Sequence, residues 1–156
     1  MSADQSRIAY EDFIARAAAV ATALREISKA PADAGLDKGL LELVKIRASQ
    51  INGCAFCLQL HLNFARKLGV SAAKLDLVAA WREAGERFDA REQAALAWAE
   101  AVTRLESGAA SDADYEAVRA EFGEDEALYL TVAIGHINLW NRLGVALRFV
   151  PPAVAA

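Results

Sequence analysis

Apolar residues recur at helical spacing along almost the whole chain, and this periodicity limits the fold more than any other feature. No stretch of the sequence shows the apolar and polar alternation that is typical of a β-strand. An all-α domain of six to seven helices is therefore expected. The pattern places them at about residues 10–27, 38–51, 54–68, 71–81, 89–102, 111–122 and 125–149.

The expected ends of these helices carry local signals. Pro31 marks the end of the first helix, and Asn52-Gly53 separates the second from the third, because glycine accepts the left-handed conformation that ends helices. Gly123 is expected to end the sixth helix, and Pro151-Pro152 the last. Side-chain caps are expected at Ser71, and capping boxes at Asp89/Glu92 and Ser111/Asp114.

The length of 156 residues suits one compact domain and is too short for two, so a single domain over residues 1–156 is expected. Apolar residues make up 55% of the chain, much of this being alanine, which favours close helix packing. This is more apolar surface than one small domain can bury, and a homo-oligomer is expected.

Several classes of protein are disfavoured. A net charge of −4 without a run of lysine or arginine argues against a nucleic-acid-binding protein. No apolar run has the length of a membrane span, and residues 1–5 lack the features of a signal peptide. The cytoplasm is therefore the expected location. Because that compartment is reducing, the two cysteines of the chain are expected to serve redox or metal chemistry rather than a permanent cross-link.

Cys54, Cys57 and His61 are the candidate reactive group. On a helix these three positions fall within roughly 60° of one another and share a face. Cysteines three residues apart at a helix start have α-carbons about 5 Å apart, within reach of a disulfide. Side chains lean towards the helix N-terminus, which places His61 over Cys57 and Cys57 towards Cys54.

This order suits thiol chemistry. A helix N-terminus and a neighbouring imidazole both favour the reactive thiolate, and a second thiol can trap a sulfenic acid as a disulfide. Glu42 would lie about 18 Å away if the helices were continuous. The break at Asn52-Gly53 lets the chain fold back and bring Glu42 to His61, where a carboxylate could orient the imidazole. The residues alone leave this choice open among several glutamates.

The run from Glu42 to His61, ELVKIRASQINGCAFCLQLH, resembles the signature of the AhpD-like alkylhydroperoxidases, which belong to the carboxymuconolactone decarboxylase superfamily. The spacing Glu-(11)-Cys-(2)-Cys-(3)-His and the Ser-Gln-x-Asn-Gly lead-in both match. The later run INLWNRL, from Ile137 to Leu143, is similar to the last helix of that family. The resemblance extends over about residues 39–149.

The resemblance implies a role for each matching residue. Cys57 would be the peroxidatic cysteine, Cys54 the resolving thiol and proton donor, and His61 with Glu42 the proton relay. It also implies an all-helical trimer or hexamer without a bound cofactor, which reduces hydroperoxides and is regenerated by an external dithiol such as a dihydrolipoyl group on a lipoyl protein. The best-studied branch has a histidine at the position of Phe56. The decarboxylase branch lacks the cysteine pair, so lactone chemistry is not expected.

Alternatives to a peroxidase remain at this point. The Phe56 departure favours a non-enzymatic dithiol adapter or sensor. A structural zinc site could use Cys54, Cys57 and His61 with Glu42 or His136, although ligands within one helix are spread along its axis. The cysteines could also be inert core residues.

Other polar residues near these motifs are expected to be structural. His136 is expected to be hydrogen-bonded in the core or at a subunit contact. Ser49, Gln50 and Asn52 are expected to bond backbone groups at the helix break.

Overall fold

The computed structural model describes residues 6–155; the expectation about residues 1–5 lies outside this part of the chain. Within it the chain is all-α, as predicted, with eight α-helices and two short 3-10 helices, which is more than the expected six or seven. The α-helices are α1 Tyr10–Arg16, α2 Ala18–Asp33, α3 Lys38–Asn52, α4 Ala55–Lys67, α5 Ala72–Leu75, α6 Ala90–Arg104, α7 Asp112–Glu121 and α8 Glu124–Leu147. The 3-10 helices are Val78–Glu83 and Gly85–Arg87.

The predicted first helix is broken into α1 and α2. At Ala17 the backbone leaves the helical region, with φ −111° and ψ 44°. The break lets Tyr10 and Phe13 of α1 pack into an aromatic cluster while α2 runs along α8. The prediction that Pro31 ends this helix is wrong, because α2 continues to Asp33 with Pro31 buried in its last turn. The burial of its ring offsets the missing backbone donor.

The predicted fourth helix is also interrupted. Ser71 caps α5 as expected, accepting from the Lys74 backbone N–H, but the chain continues as a 3-10 helix from Val78. Leu75, Val78 and Trp81 are all buried. Val78 and Trp81 are three residues apart, which aligns them on one side of the 3-10 helix, since it has three residues per turn.

Both predicted capping boxes are confirmed, at Asp89/Glu92 and at Ser111/Asp114. The prediction for Gly123 is wrong. Helix α7 ends at Glu121, and Gly123 is the N-cap of α8, where its backbone N–H donates to Glu126 at 2.9 Å. The acidic first turn of α8 suits the positive end of the helix dipole.

Helix α3 is the centre of the fold, packed against α4, α6 and α8. Every residue from Leu40 to Ile46 is buried, including Glu42 and Lys45. One of the three core clusters contains both cysteines, together with Ala48, Phe56, Ile137 and Phe149. The cysteine pair is thus part of the packed interior. In the described part of the chain, none of the helices combines the length and apolarity needed to cross a membrane.

Candidate active site

The cysteine pair lies at the start of α4, where the sequence places it. Gly53 adopts the left-handed conformation, with φ 67° and ψ 28°, and ends α3 as predicted. Cys54 is the N-cap of α4, and its Sγ accepts from the Cys57 backbone N–H at 3.2 Å. The two cysteines form a disulfide with a Cα–Cα distance of 5.3 Å, which confirms that the pair is within bridging reach.

The break at Gly53 folds α4 back along α3 and brings Glu42 to His61. Oε2 of Glu42 lies 2.6 Å from Nδ1 of His61, which confirms that the two side chains meet. The short contact joins an acceptor carboxylate to a ring nitrogen, so Nδ1 carries the proton and donates it to Glu42. Nε2 of His61 then has a free lone pair, as a base requires.

Lys45 completes this group and was missed by the sequence analysis. Its Nζ donates to Oε1 of Glu42 at 2.8 Å, and both side chains are buried. Burial alone would raise the pKa of Glu42, but the bonds and charges of His61 and Lys45 outweigh it and hold that pKa below its usual value. The i,i+3 spacing of Glu42 and Lys45 was the available signal.

The pKa of His61 is lowered, chiefly because burial disfavours the imidazolium. The carboxylate of Glu42 opposes this effect, while the positive charge of Lys45 adds to it. Glu42 is therefore ionised and His61 neutral near pH 7, which is the state in which His61 can accept a proton.

Cys57 and His61 line the same cavity, of about 230 Å³, whereas Cys54 is not among the described residues around it. Most of the wall is apolar or aromatic: Tyr10, Leu24, Phe56, Leu60, Phe64, Ile137 and Trp140. Of the two cysteines, Cys57 is the one that lines space that a small molecule could enter.

Phe56, the residue between the cysteines, packs into an aromatic cluster. Its ring centroid lies 4.9 Å from that of Tyr10 and 5.3 Å from that of Phe149. The cluster brings α1 and the segment after α8 against the start of α4. Phe56 thus closes one side of the cavity with an apolar ring.

His136 is buried and hydrogen-bonded in the core, as predicted, and it also lines the cavity at Cys57. Its Nε2 accepts from Nε1 of Trp140 at 3.1 Å, and its ring also bonds the backbone of Leu24. Burial, helped by the charge of Lys45, lowers its pKa to about 4. The imidazole is therefore neutral at pH 7, with both nitrogens occupied.

The prediction for Ser49 is confirmed, because its hydroxyl donates to the backbone carbonyl of Lys45 at 2.7 Å. The prediction for Gln50 is wrong. Its side-chain oxygen accepts from Arg47 at 3.3 Å, since the charged guanidinium one turn earlier is the nearer donor.

The prediction for Asn52 is also wrong, because its amide bonds side chains of α8 rather than the local backbone. Nδ2 of Asn52 donates to Oδ1 of Asn138 and to Oδ1 of Asn141, both at 2.9 Å. Asn141 in turn donates to Ser49 at 3.0 Å. Packing against α8 thus supplies the partners that a free turn would take from its own backbone, and the network holds the break in place.

Gly144 of α8 is a second residue that the sequence analysis missed. A Cβ atom there would lie 2.7 Å from Sγ of Cys54 and 3.2 Å from Sγ of Cys57. Only glycine lets the α8 backbone approach the disulfide this closely. A glycine inside a helical pattern, which costs about 1 kcal/mol relative to alanine, was the only signal in the sequence.

The donor set gives no support to a zinc site. Within residues 6–155, no group of three or more His, Cys, Asp or Glu side chains is arranged to hold a metal ion. Glu42 and His61 are bonded to each other instead.

Comparison with known proteins identifies relatives along most of the chain. The model of the carboxymuconolactone decarboxylase family matches residues 15–101. The uncharacterized protein YdfG of Bacillus subtilis is 34% identical over 124 residues, which span 80% of this chain and 84% of the relative.

Solved structures agree with this family. A protein of unknown function from Agrobacterium tumefaciens, described as an AhpD antioxidant defence protein, superposes with a TM-score of 0.86 and 36% identity, over 96% of this chain and 99% of its own. An uncharacterized peroxidase-related protein from Ralstonia eutropha, described as an alkylhydroperoxidase AhpD core, gives 0.79 and 25% identity over 90% and 75% of the two chains. The debrominase Bmp8, at 20% identity and a TM-score of 0.77 over 90% and 75%, shares the fold.

Proposed function

The chain belongs to the AhpD-like proteins of the carboxymuconolactone decarboxylase family, and we propose that it is a thiol-dependent peroxidase that reduces hydroperoxides through a Cys54/Cys57 dithiol–disulfide cycle. The observation that carries the proposal is the cavity: Cys57 and His61 both line it, and Glu42 holds the far nitrogen of His61.

The first step is attack on the peroxide. Nε2 of His61 takes the proton of the Cys57 thiol, and the thiolate attacks the terminal oxygen of the hydroperoxide. The O–O bond breaks, Cys57 becomes a sulfenic acid, and the leaving alkoxide takes a proton to become an alcohol. The thiol of Cys54 is the proton donor closest to Cys57 along the helix.

The second step closes the disulfide. The thiolate that Cys54 becomes on protonating the alkoxide attacks the sulfenic sulfur of Cys57, and the Cys54–Cys57 bond forms as the S–O bond breaks. The leaving hydroxide takes the proton that His61 removed from Cys57 and departs as water, so His61 is neutral again. The Cα–Cα distance of 5.3 Å requires no refolding for this step. An external dithiol then reduces the disulfide by thiol–disulfide exchange. We assign this role to a dihydrolipoyl group, free or on a lipoyl protein, with no cofactor held by the chain itself.

The remaining parts of the proposal concern assembly and location. Helix α8 exposes an apolar stripe that includes Leu128, Val132 and Leu139, which supports a homo-oligomer. A trimer or a hexamer is the form that the family resemblance implies. A cycle that depends on a dithiol reductant suits the reducing cytoplasm.

The test is the rate of peroxide-driven oxidation, followed by stopped-flow fluorescence and mass spectrometry. Cys57→Ser should abolish turnover of cumene hydroperoxide. Cys54→Ser should consume one equivalent of peroxide and accumulate a sulfenic acid that dimedone traps on Cys57. If Cys57→Ser keeps full peroxidase activity, the assignment of the nucleophile is wrong.

A dithiol adapter is the second candidate, favoured by the apolar ring of Phe56 where the best-studied relatives have a histidine. An adapter would react slowly with every peroxide but exchange rapidly with a dithiol partner. The same stopped-flow experiment, run with dihydrolipoamide instead of peroxide, separates the two candidates.

A further inference from the structure

A second cleft, of about 370 Å³, adjoins the cavity at Cys57. The two share Ser28, Lys45 and Phe64 in their walls, and we describe them as the two ends of one groove. Helices α2, α3 and α4 line it together. The groove therefore leads from the proposed nucleophile to a separate region of the surface.

The groove runs along one face of helix α4, so the spacing of the residues on that face gives its length. Cys57, His61, Phe64 and Lys67 lie on one face of it and all contribute to the walls. Ten residues separate Cys57 from Lys67, which corresponds to about 15 Å along the helix axis. Phe64 is 41% exposed and lies between them, so the middle of the groove is apolar.

The far end of the groove is rich in lysine. Of the five lysines in the chain, all but Lys74 line the second cleft, in a protein whose net charge is −4. The carboxylates in its walls are those of Asp33 and Glu42, and Glu42 is already bonded to Lys45 and His61.

Two of the lysines in the second cleft, Lys38 and Lys67, differ from the others in that they have no carboxylate partner in the described part of the chain. Lys29 pairs with Glu26 at 2.7 Å. Lys38 and Lys67, by contrast, form no ion pair within the part of the chain that the structure describes, and both are exposed. The cleft thus offers two uncommitted ammonium groups, against a single uncommitted carboxylate, that of Asp33, which likewise forms no ion pair among the described residues.

We infer that the groove binds an amphipathic organic hydroperoxide with a carboxylate at one end, and this inference rests on the proposed peroxidase function. The hydroperoxide group lies at Cys57, the apolar body lies along Phe64, and the carboxylate lies between Lys38 and Lys67. The reaction leaves the carboxylate unchanged: the O–O bond breaks as above, and the product is the corresponding hydroxy acid and water. An apolar wall with a few well-placed polar groups is typical of small-molecule sites.

Binding can be measured without turnover, by isothermal titration calorimetry of the oxidised protein with decanoic acid and with decanol. We expect decanoic acid to bind more tightly than decanol, and added salt to weaken the acid alone. The double variant Lys38→Gln/Lys67→Gln should weaken binding of the acid about tenfold and reduce its preference over decanol. The control Arg87→Gln removes one positive charge from an exposed site away from the groove and should leave the preference intact.

Equal binding of acid and alcohol by the wild-type protein, or an unchanged preference in the double variant, would overturn the inference. A double variant that slows only reduction by a lipoyl protein would show that these lysines contact the partner, and would overturn it too. Peroxidase activity is measured separately with cumene hydroperoxide, which has no carboxylate. Failure of that assay would count against the proposed function while the binding result still judges the groove.

The supporting turnover experiment compares linoleic acid hydroperoxide with its methyl ester. The ratio of the two kcat/KM values should favour the acid in the wild-type protein and in Arg87→Gln. It should fall about tenfold in the double variant. A ratio that is the same in all three proteins would contradict the inference.

Discussion

Two buried carboxylates, Glu42 and Glu100, lie on different sides of α3 and have similar burial but different surroundings. The side chains are 8% and 3% exposed. Glu42 bonds Lys45 and the imidazole of His61. Glu100 accepts from Arg47 at 2.6 Å and from the indole of Trp81 at 3.0 Å.

Two further arginines complete the surroundings of Glu100. Arg82 forms a short ion pair with its Oε2, and Arg104 lies 3.6 Å from the same oxygen. Burial would raise the pKa of Glu100, but the bonds from Arg82, Trp81 and Arg47 outweigh it and lower that pKa, as for Glu42. The depressed pKa therefore does not distinguish the two sites. What differs is the partner: guanidinium and indole keep their protons near pH 7, whereas imidazole exchanges one.

The largest effect on stability is expected for Glu100→Gln. The substitution leaves arginine charges without a buried carboxylate, and the free energy of unfolding should fall by about 3 kcal/mol at pH 7. Because the pKa of Glu100 is lower in the folded protein, this stabilisation is present above the ordinary value of 4.5 and is lost as the pH falls further. The difference between wild type and variant should therefore shrink in acid.

Urea denaturation at neutral and acidic pH measures this difference, and stopped-flow oxidation measures activity in parallel. The folded fraction of the variant should still react with cumene hydroperoxide. If Glu100→Gln is stable but inactive, Glu100 contributes to the reaction, and the contrast between a structural Glu100 and a Glu42 that acts on His61 is wrong.

Glu42→Gln, unlike Glu100→Gln, is expected to lower the rate of peroxide reduction by the folded protein. The amide can donate to Nδ1 of His61 and so stabilise the tautomer whose Nε2 carries the proton. The kcat/KM for cumene hydroperoxide should fall about a hundredfold, and because buried Lys45 loses its carboxylate partner, the free energy of unfolding should fall as well. Stopped-flow oxidation of the reduced protein and urea denaturation measure both quantities. An unchanged rate would show that Glu42 is as structural as Glu100.

Local signals explain which parts of the fold could be predicted. Helices α3 and α4, the break at Gly53 and both capping boxes follow from residues within a few positions of one another. The interruptions of the predicted helices at Ala17 and after Leu75 do not follow from neighbouring residues. Each of these depends on what the segment packs against, namely the aromatic cluster near Phe56 in one case and the core around Trp81 in the other.

The same division applies to the site. The break at Gly53 allows Glu42 of α3 to reach His61, but only the resemblance to the AhpD-like family selects Glu42 among the several glutamates of the chain. The lysine-lined cleft could not, since Lys29, Lys38 and Lys67 are far apart in the sequence and meet only when α2, α3 and α4 pack together. The close approach of Gly144 to the disulfide likewise depends on where α8 crosses the start of α4.

Lys45→Met gives the smallest and most specific effect. The pKa of His61 is lowered by burial and further by the charge of Lys45, so removal of that charge should raise it. A neutral His61 is the base, and the acid limb of kcat/KM should therefore move to higher pH, with only a few-fold loss at the plateau. The profile is measured with cumene hydroperoxide from about pH 5 to 8.

The matched control is Lys74→Met, which removes a lysine that pairs with Glu92 away from the site. Its acid limb should coincide with that of the wild-type protein, since Lys74 does not contribute to the pKa of His61. A shift of the Lys45→Met limb to lower pH, or no shift, would mean that Lys45 only neutralises Glu42, much as the arginines neutralise Glu100. A shift to higher pH would instead make Lys45 a positioning residue that acts through the Glu42–His61 pair, a role that the residues around Glu100 cannot have because they do not titrate in this range.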